Sequence, residues 1–146
     1  MKILTEKPPN YDKIKKVLDF DEGGTIFTYG DTIYNPNAIN LTIDLHVHES
    51  MHEIQQQRMG FFGRWLGPWR WWRRYLKDPK FRFDQELQAY KAQYRFAGVQ
   101  IKDRNQRNNF LVGLARQLMG PMYGNMHIEG GLYGAMRLIK NSDKLH

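Results

Sequence analysis

The most informative stretch of the sequence is residues 41–59, LTIDLHVHESMHEIQQQRM. It contains no glycine or proline, and Val47, Met51 and Ile54 recur at spacings of four and three residues. That spacing is the period of an amphipathic helix, so the pattern predicts one long helix over these residues, ended by Gly60. The flanking leucines add further apolar surface, and we expect the helix to be buried over much of its circumference.

Three of the chain's five histidines, at positions 46, 48 and 52, fall in one seven-residue segment of this helix. The segment His48-Glu49-Ser50-Met51-His52 has the pattern H-E-x-x-H. Residues four apart share one face of a helix, so both imidazoles can bind a single ion while Glu49 projects beside them toward a metal-bound water. The chain has no cysteine, so any metal is held by His, Asp or Glu. The pattern predicts a Zn²⁺ site.

Zinc held by two histidines needs a third protein ligand and an open position. Glu86, in FDQELQAY, is the candidate, because Ala89 one turn later is small enough to let its helix press against the metal-binding helix. Asp84 is an alternative carboxylate, but its place at the expected start of that helix favours a capping role. Glu129 and His127 are weaker candidates.

HESMHEIQQ, followed by an E-x-x-A helix, resembles the gluzincin-type metallopeptidases, whose motif is H-E-x-x-H-x-x-Q with a glutamate as third ligand. The longer progression from TIFTYGDTIYNP to FDQELQAYKAQY, residues 25–94, is similar to small metallopeptidase-like proteins of bacteriophage and prophage genomes. The resemblance implies a zincin-like fold, zinc held by His48, His52 and Glu86, and Glu49 as the general base. It also implies a sheet strand beside the cleft that holds an extended peptide.

This ligand set predicts zinc-dependent hydrolysis of peptide bonds, with Glu49 taking the proton from a water that the metal activates. Such chemistry uses a second donor to the oxyanion, and Tyr123 and His127, both in GPMYGNMH, are the candidates. Each ligand histidine also needs a partner for its other ring nitrogen. Asp44, one turn before His48, is the candidate for that role.

The remaining sequence predicts a helix-dominated α+β fold with a small β-hairpin beside the metal-binding helix. Its 146 residues fit one domain, 1–146, of zincin-like architecture. Thr25–Tyr29 and Thr32–Tyr34 flank Gly30-Asp31, a pattern typical of a tight hairpin. Other helices are predicted around Ile14, Val17 and Leu18, near Trp69–Leu76, from Asp84 to Ala97 or Gly98, over Asn105–Met119, and over Glu129–Lys140.

Basic residues are concentrated between Arg58 and Arg82, where eight basic residues and one acid account for the chain's whole net charge of +7. Four tryptophans interleaved with arginine there suggest a different class, a module that binds nucleic acid or a membrane surface beside a structural or inactive metal site. Retention of Glu49 argues against an inactive site. The competing interpretation packs the rings in the core and leaves the arginines in water. If this stretch lies near the cleft, it favours acidic peptides.

IDLHVHES also resembles the D-x-H-x-H opening of amidohydrolases and PHP-type phosphoesterases, in which His46 and His48 bind metal together from a strand. The two interpretations exclude each other, because a strand places these two residues on one face whereas a helix pairs His48 with His52. Those enzymes need further metal-binding motifs and a barrel of roughly 200 residues or more. Only His127 and His146 remain here, so the helix is favoured.

Targeting and membrane signals are missing from the sequence. No apolar run reaches the ~18 residues of a membrane span, and the opening MKILTEKPPNYDK turns polar after four residues. The sequence therefore predicts neither a transmembrane segment nor a signal peptide. We expect a location in a host-cell cytoplasm or a phage particle and a peptide or protein as substrate.

Overall fold

The computed structural model describes residues 1–141 and contains, within that range, six α-helices and a three-stranded sheet. The histidine at position 146 lies outside the described residues. In chain order the elements are β1 (Lys2–Leu4), α1 (Tyr11–Val17), β2 (Phe27–Tyr29), β3 (Thr32–Tyr34), α2 (Ile43–Arg58), α3 (Leu66–Lys77), α4 (Pro79–Gln100), α5 (Arg104–Leu118), a 3₁₀ turn (Pro121–Tyr123) and α6 (Gly131–Lys140). The helix-dominated α+β class is confirmed.

The predicted hairpin is confirmed as β2 and β3, which pair antiparallel with Tyr29 opposite Thr32. Gly30 has a φ of +63° in the turn, a conformation that glycine adopts without steric cost. The strand β1 was not predicted; it pairs parallel with β3, so the strand order is β1-β3-β2. All three residues of β1 are exposed, and the strand therefore carries no alternation of apolar and polar residues that would reveal it.

The second long helix begins at Pro79, so the prediction of a start near Asp84 is wrong. Asp78 caps it, since its carboxylate accepts a hydrogen bond from the backbone N–H of Phe81 at 3.1 Å. Proline suits the first helical position because its ring presets φ and its missing N–H has no partner to lose there. Asp84 lies inside α4 and accepts a hydrogen bond from Lys80 Nζ at 3.0 Å. The other predicted helices lie within a few residues of their expected positions.

Two hydrophobic clusters form the core, and α2 lies where they meet. One joins α1, β2 and α3, and the other joins α4, α5, α6 and the 3₁₀ turn. The His48 ring contacts Tyr90 of the second cluster, and the His52 ring contacts Trp71 of the first. α2 packs chiefly against α4. Across residues 1–141, none of the helices combines the length and apolar character needed to cross a membrane.

The helix α2 is confirmed, but the face that it turns inward is not the predicted one. Val47 and Met51 are only partly buried, and Ile54 is exposed. The buried residues of this helix are all polar: His48, Glu49, His52, Gln55 and Gln56. Burying polar groups costs free energy unless each finds a partner. Burial therefore removes these side chains from water, and their hydrogen bonds in the interior offset that cost.

Candidate metal centre

The two histidines of the motif and the candidate third ligand meet in the interior. His48 and His52 lie one turn apart on α2, and their Nε2 atoms are 3.2 Å from each other. Glu86 projects from α4, with Oε2 3.3 Å from Nε2 of His48 and Oε1 3.4 Å from Nε2 of His52. All three side chains are buried. Residues 34 and 38 positions apart in sequence are thus brought to one point by the packing of α4 on α2.

The Nδ1 atoms of both histidines form hydrogen bonds with glutamine side chains. Nδ1 of His48 lies 3.1 Å from Oε1 of Gln93, whose amide nitrogen donates to Oδ2 of Asp44 at 2.7 Å. Nδ1 of His52 lies 2.9 Å from Oε1 of Gln55, whose amide nitrogen donates to a backbone carbonyl of α4 at 3.0 Å. Asp44 was predicted to contact a ligand histidine directly; in the structure Gln93 lies between them. Each glutamine turns its oxygen to a ring, so each Nδ1 donates.

A neutral imidazole that donates from Nδ1 carries a lone pair on Nε2. Two such lone pairs therefore converge here with the carboxylate of Glu86, whose Oε2 is buried and has no hydrogen-bond partner. Buried acceptors that face one another are costly unless a cation lies between them. Two histidine nitrogens and one carboxylate oxygen are also the donor set of many catalytic zinc sites, which keep the fourth position open. The residues present fit zinc.

In a metal-free chain a proton takes this position. Burial alone would lower the pKa of His52, but the charge of Glu86 and the hydrogen bonds to Glu86 and Gln55 raise that pKa to about 9. Burial alone would raise the pKa of Glu86, but the His52 charge and the contacts with both histidines hold it well below its usual range. At neutral pH the metal-free centre is therefore an imidazolium–carboxylate pair.

Glu49 lies beside this centre, and its side chain forms a hydrogen bond with a residue of β2. Its Oε2 accepts a hydrogen bond from Oγ1 of Thr28 at 2.6 Å, and a carboxylate oxygen lies within 4.8 Å of a ring nitrogen of both His48 and His52. By distance alone, Glu49 is a candidate ligand as well. Glu86 is the better one, because it contacts both Nε2 atoms and keeps one oxygen without a donor.

Aromatic side chains of α3 pack around the candidate ligands. The Tyr75 hydroxyl donates to Oε1 of Glu86 at 2.5 Å, and its ring stacks on Trp71 with centroids 4.6 Å apart. Nε1 of Trp72 donates to the carbonyl of Thr28 at 3.0 Å. Half of the tryptophans are therefore packed beside the site, as the core interpretation predicts, while the other two, at positions 65 and 69, are exposed.

A small cavity of about 40 Å³ lies at the ligands, lined by His48, Glu49, His52, Glu86 and Tyr123 among others. This volume suits an ion with one or two waters rather than an organic cofactor. It shares lining residues with a cleft of about 540 Å³.

The larger cleft is not basic. Its charged lining residues are Asp19, Asp21, Glu49 and Arg116, and none of the basic side chains between Arg58 and Arg82 contributes. The expectation that this stretch would make the cleft attractive to acidic peptides is therefore wrong. The rest of the lining is largely apolar and includes Phe20, Ile26, Ile39, Leu45 and Met122.

The two candidate oxyanion donors are placed differently. Tyr123, on the 3₁₀ turn, is buried, lines both cavities and lies with its hydroxyl 3.0 Å from the hydroxyl of Tyr90. His127 is exposed and lines neither cavity. The alternative ligands Glu129 and Asp84 also line neither cavity. The structure thus brings only Tyr123 of these four residues to the site.

The strand beside the site is partly covered. The carbonyl of Thr28 on β2 accepts hydrogen bonds from Nε2 of Gln56 at 2.8 Å and from Nε1 of Trp72. That carbonyl is therefore not available to an extended peptide, and the peptide-binding strand that the resemblance implies stays a prediction. Here the open cleft is lined by Gly24, Thr25 and Ile26, which precede the strand.

The alternative metal pair is excluded by secondary structure. His46 and His48 lie on α2, not on a strand, so their side chains diverge around the helix. His46 Nδ1 lies 3.4 Å from the hydroxyl of Ser50, a residue of the same helix. The amidohydrolase-like or PHP-like arrangement is therefore wrong.

Four residues of the site were not predicted from the sequence. Gln55 had a signal, since it is the final residue of H-E-x-x-H-x-x-Q, and Gln93 had a weaker one, being two turns after Glu86 on the same helix. Tyr75 and Thr28 had none, because their distance from the ligands depends on how α3 and β2 pack.

No protein-family profile, curated protein or solved structure matches this chain. The geometry of its own residues is therefore the basis for a functional assignment.

Proposed function

We propose that the chain is a zinc-dependent peptidase, with His48, His52 and Glu86 as ligands and Glu49 as general base. The observation that carries the proposal is the convergence of two imidazole Nε2 atoms and an unpartnered carboxylate oxygen in a buried cavity of ion size. A helix that existed only for packing would turn its apolar residues inward, and α2 turns inward this polar set.

Zinc held by these three residues would supply Lewis-acid chemistry, which would lower the pKa of a bound water toward neutrality and polarise the scissile carbonyl. Glu49 takes the proton of the attacking water and returns it to the leaving amine. Thr28 holds one carboxylate oxygen of Glu49, which leaves the other oxygen free for this transfer.

In this proposal Tyr123, which lines both cavities, donates to the oxyanion. Burial raises the pKa of Tyr123 well above its usual value, so the hydroxyl keeps its proton at neutral pH. The neighbouring Tyr90 hydroxyl donates to Gln117 at 3.2 Å, which leaves it to accept from Tyr123 when no substrate is bound. A substrate oxygen at the cleft end of the cavity offers Tyr123 a charged acceptor instead.

The test is metal content and peptide hydrolysis in matched variants. We expect one zinc per chain, by inductively coupled plasma mass spectrometry, in the wild type and in Glu49→Gln, and loss of zinc in His48→Ala and Glu86→Ala. Cleavage of a mixed peptide library should be absent in Glu49→Gln. His127→Ala, at an exposed histidine, is the control and should keep both zinc and activity. Zinc-free wild type after incubation with zinc, or full zinc in Glu86→Ala, would overturn the assignment.

A structural metal site is the second candidate, and the nearly complete burial of all three ligands favours it. It predicts that zinc raises the midpoint of thermal unfolding while no peptide is cleaved. The two candidates differ in their use of the adjoining cleft, so binding of peptides to zinc-loaded Glu49→Gln separates them.

A further inference from the structure

The turn between α2 and α3 exposes aromatic rings to an unusual degree. We call residues 61–65 the aromatic turn: Phe61 is 73 % exposed, Phe62 84 % and Trp65 76 %. Trp69, in the first turns of α3, adds a further ring at 47 % exposure. Large apolar side chains that stay in water together indicate a surface that meets a partner.

The surroundings of the aromatic turn are basic. Six basic residues and no acid lie between Arg58 and Lys77 in the sequence. The guanidinium of Arg70 lies 5.3 Å and 5.6 Å from the ring centres of Phe61 and Phe62. Of the six, Arg74 is paired with an acid, Asp78 at 3.6 Å.

A groove between α1 and α3 continues this surface. Its volume is about 420 Å³, and four cations line it without any acid: Lys13, Lys16, Arg73 and Lys77. Asn10 also lines the groove, and both polar atoms of its amide are buried without a hydrogen-bond partner. The four cations suit an anionic ligand.

We propose that the aromatic turn, the basic face of α3 and this groove form a docking surface for an anionic lipid bilayer. Exposed apolar rings enter the boundary between headgroups and acyl chains, and flanking cations pair with lipid phosphates.

The ring geometry favours a bilayer over single-stranded nucleic acid. Binding of successive bases uses ring faces that are open to stacking. Phe61 and Phe62 lie at 87° to each other, and the guanidinium of Arg70 lies over both. None of the basic residues of this surface lines the cleft at the metal centre, so docking leaves that cleft open.

The test is flotation of the full chain with vesicles of phosphatidylcholine alone and of phosphatidylcholine with phosphatidylglycerol at about seven to three. We expect binding to the anionic vesicles to be at least roughly tenfold stronger and to weaken as salt is raised. Phe61→Ser/Phe62→Ser should reduce binding by about tenfold or more, and Lys13→Glu/Lys16→Glu should abolish the preference for phosphatidylglycerol. Val99→Ser/Tyr133→Ser is the matched control, since these residues are 82 % and 77 % exposed elsewhere; it should bind as the wild type does.

Equal binding to both vesicle types, no binding to either, or equal losses in the Phe61/Phe62 and control variants would overturn the proposal. Tight binding of a single-stranded oligonucleotide without vesicle binding would assign the surface to nucleic acid instead. Circular dichroism and zinc content of each variant show whether fold and metal centre are intact, so the result is independent of the proposed peptidase activity.

Discussion

The metal-free chain should lose stability as the pH rises from neutral to 9, because His52 and Glu86 then lose the proton between them. The pKa of His52 is raised from 6.5 to about 9 in the folded chain. A difference of about 2.5 units at 1.36 kcal/mol each corresponds to about 3 kcal/mol. A raised pKa stabilises the fold fully below pH 6.5, and this contribution disappears as the pH passes 9.

Glu86 titrates on the opposite side. Its pKa is held below the usual value of 4.5, so its stabilising contribution is complete above that pH and is lost only in acid. The pair therefore stabilises the metal-free chain most between about pH 4.5 and pH 6.5. Urea unfolding in the presence of a chelator, at several pH values from 6 to 9, measures the decline.

Two controls isolate the pair. Glu86→Gln removes the charge that raises the pKa of His52, so the decline toward pH 9 should vanish in this variant. Zinc-loaded wild type should also show no decline, because the metal replaces the shared proton. A metal-free wild type with constant stability from pH 6 to 9, or an equal decline in Glu86→Gln, would refute the inference that lone pairs converge at this point.

Zinc affinity, measured by competition with a chelator, should rise about tenfold per pH unit up to about pH 9, since binding displaces one proton; a flat profile contradicts the shared proton. Gln93→Leu should weaken zinc binding by about 10- to 100-fold in the same assay, because a ligand histidine loses its oriented partner; unchanged affinity would make that contact incidental. Gly67→Ala should lower the free energy of unfolding by about 2 kcal/mol, because the added Cβ would lie 2.2 Å from the carbonyl oxygen of Gln56. Gly113→Ala is its control, since nothing lies within 4 Å of the added Cβ; this helix-interior change should stabilise by roughly 0.5–1 kcal/mol, and equal effects of the two changes would contradict the close packing at Gly67.

Local spacing predicted those features that depend on one element at a time. A helix repeats every 3.6 residues, so the placement of His48 and His52 on one face follows from their separation alone. The turn residues Gly30-Asp31 likewise predict the hairpin, whatever the hairpin packs against in the fold. The third ligand could be proposed because Glu86 and Ala89 lie one turn apart on a second helix, but that pattern did not decide among the acidic residues available.

Tertiary packing decided the rest. The inward face of α2 could not be predicted from its apolar residues, because the polar groups on the opposite side are stabilised by hydrogen bonds with α4 and β2 and by a ring contact with Trp71 of α3. The start of α4 shifted because Asp78 and Pro79 provide a better cap than Asp84. Gln93 and Tyr75 reach the ligands from separate helices, at distances that no sequence spacing encodes. Sequence spacing therefore indicates which side chains could bind a metal. Which of these side chains lie together depends on packing between helices and strands, because the neighbours that bury a residue lie far from it along the chain.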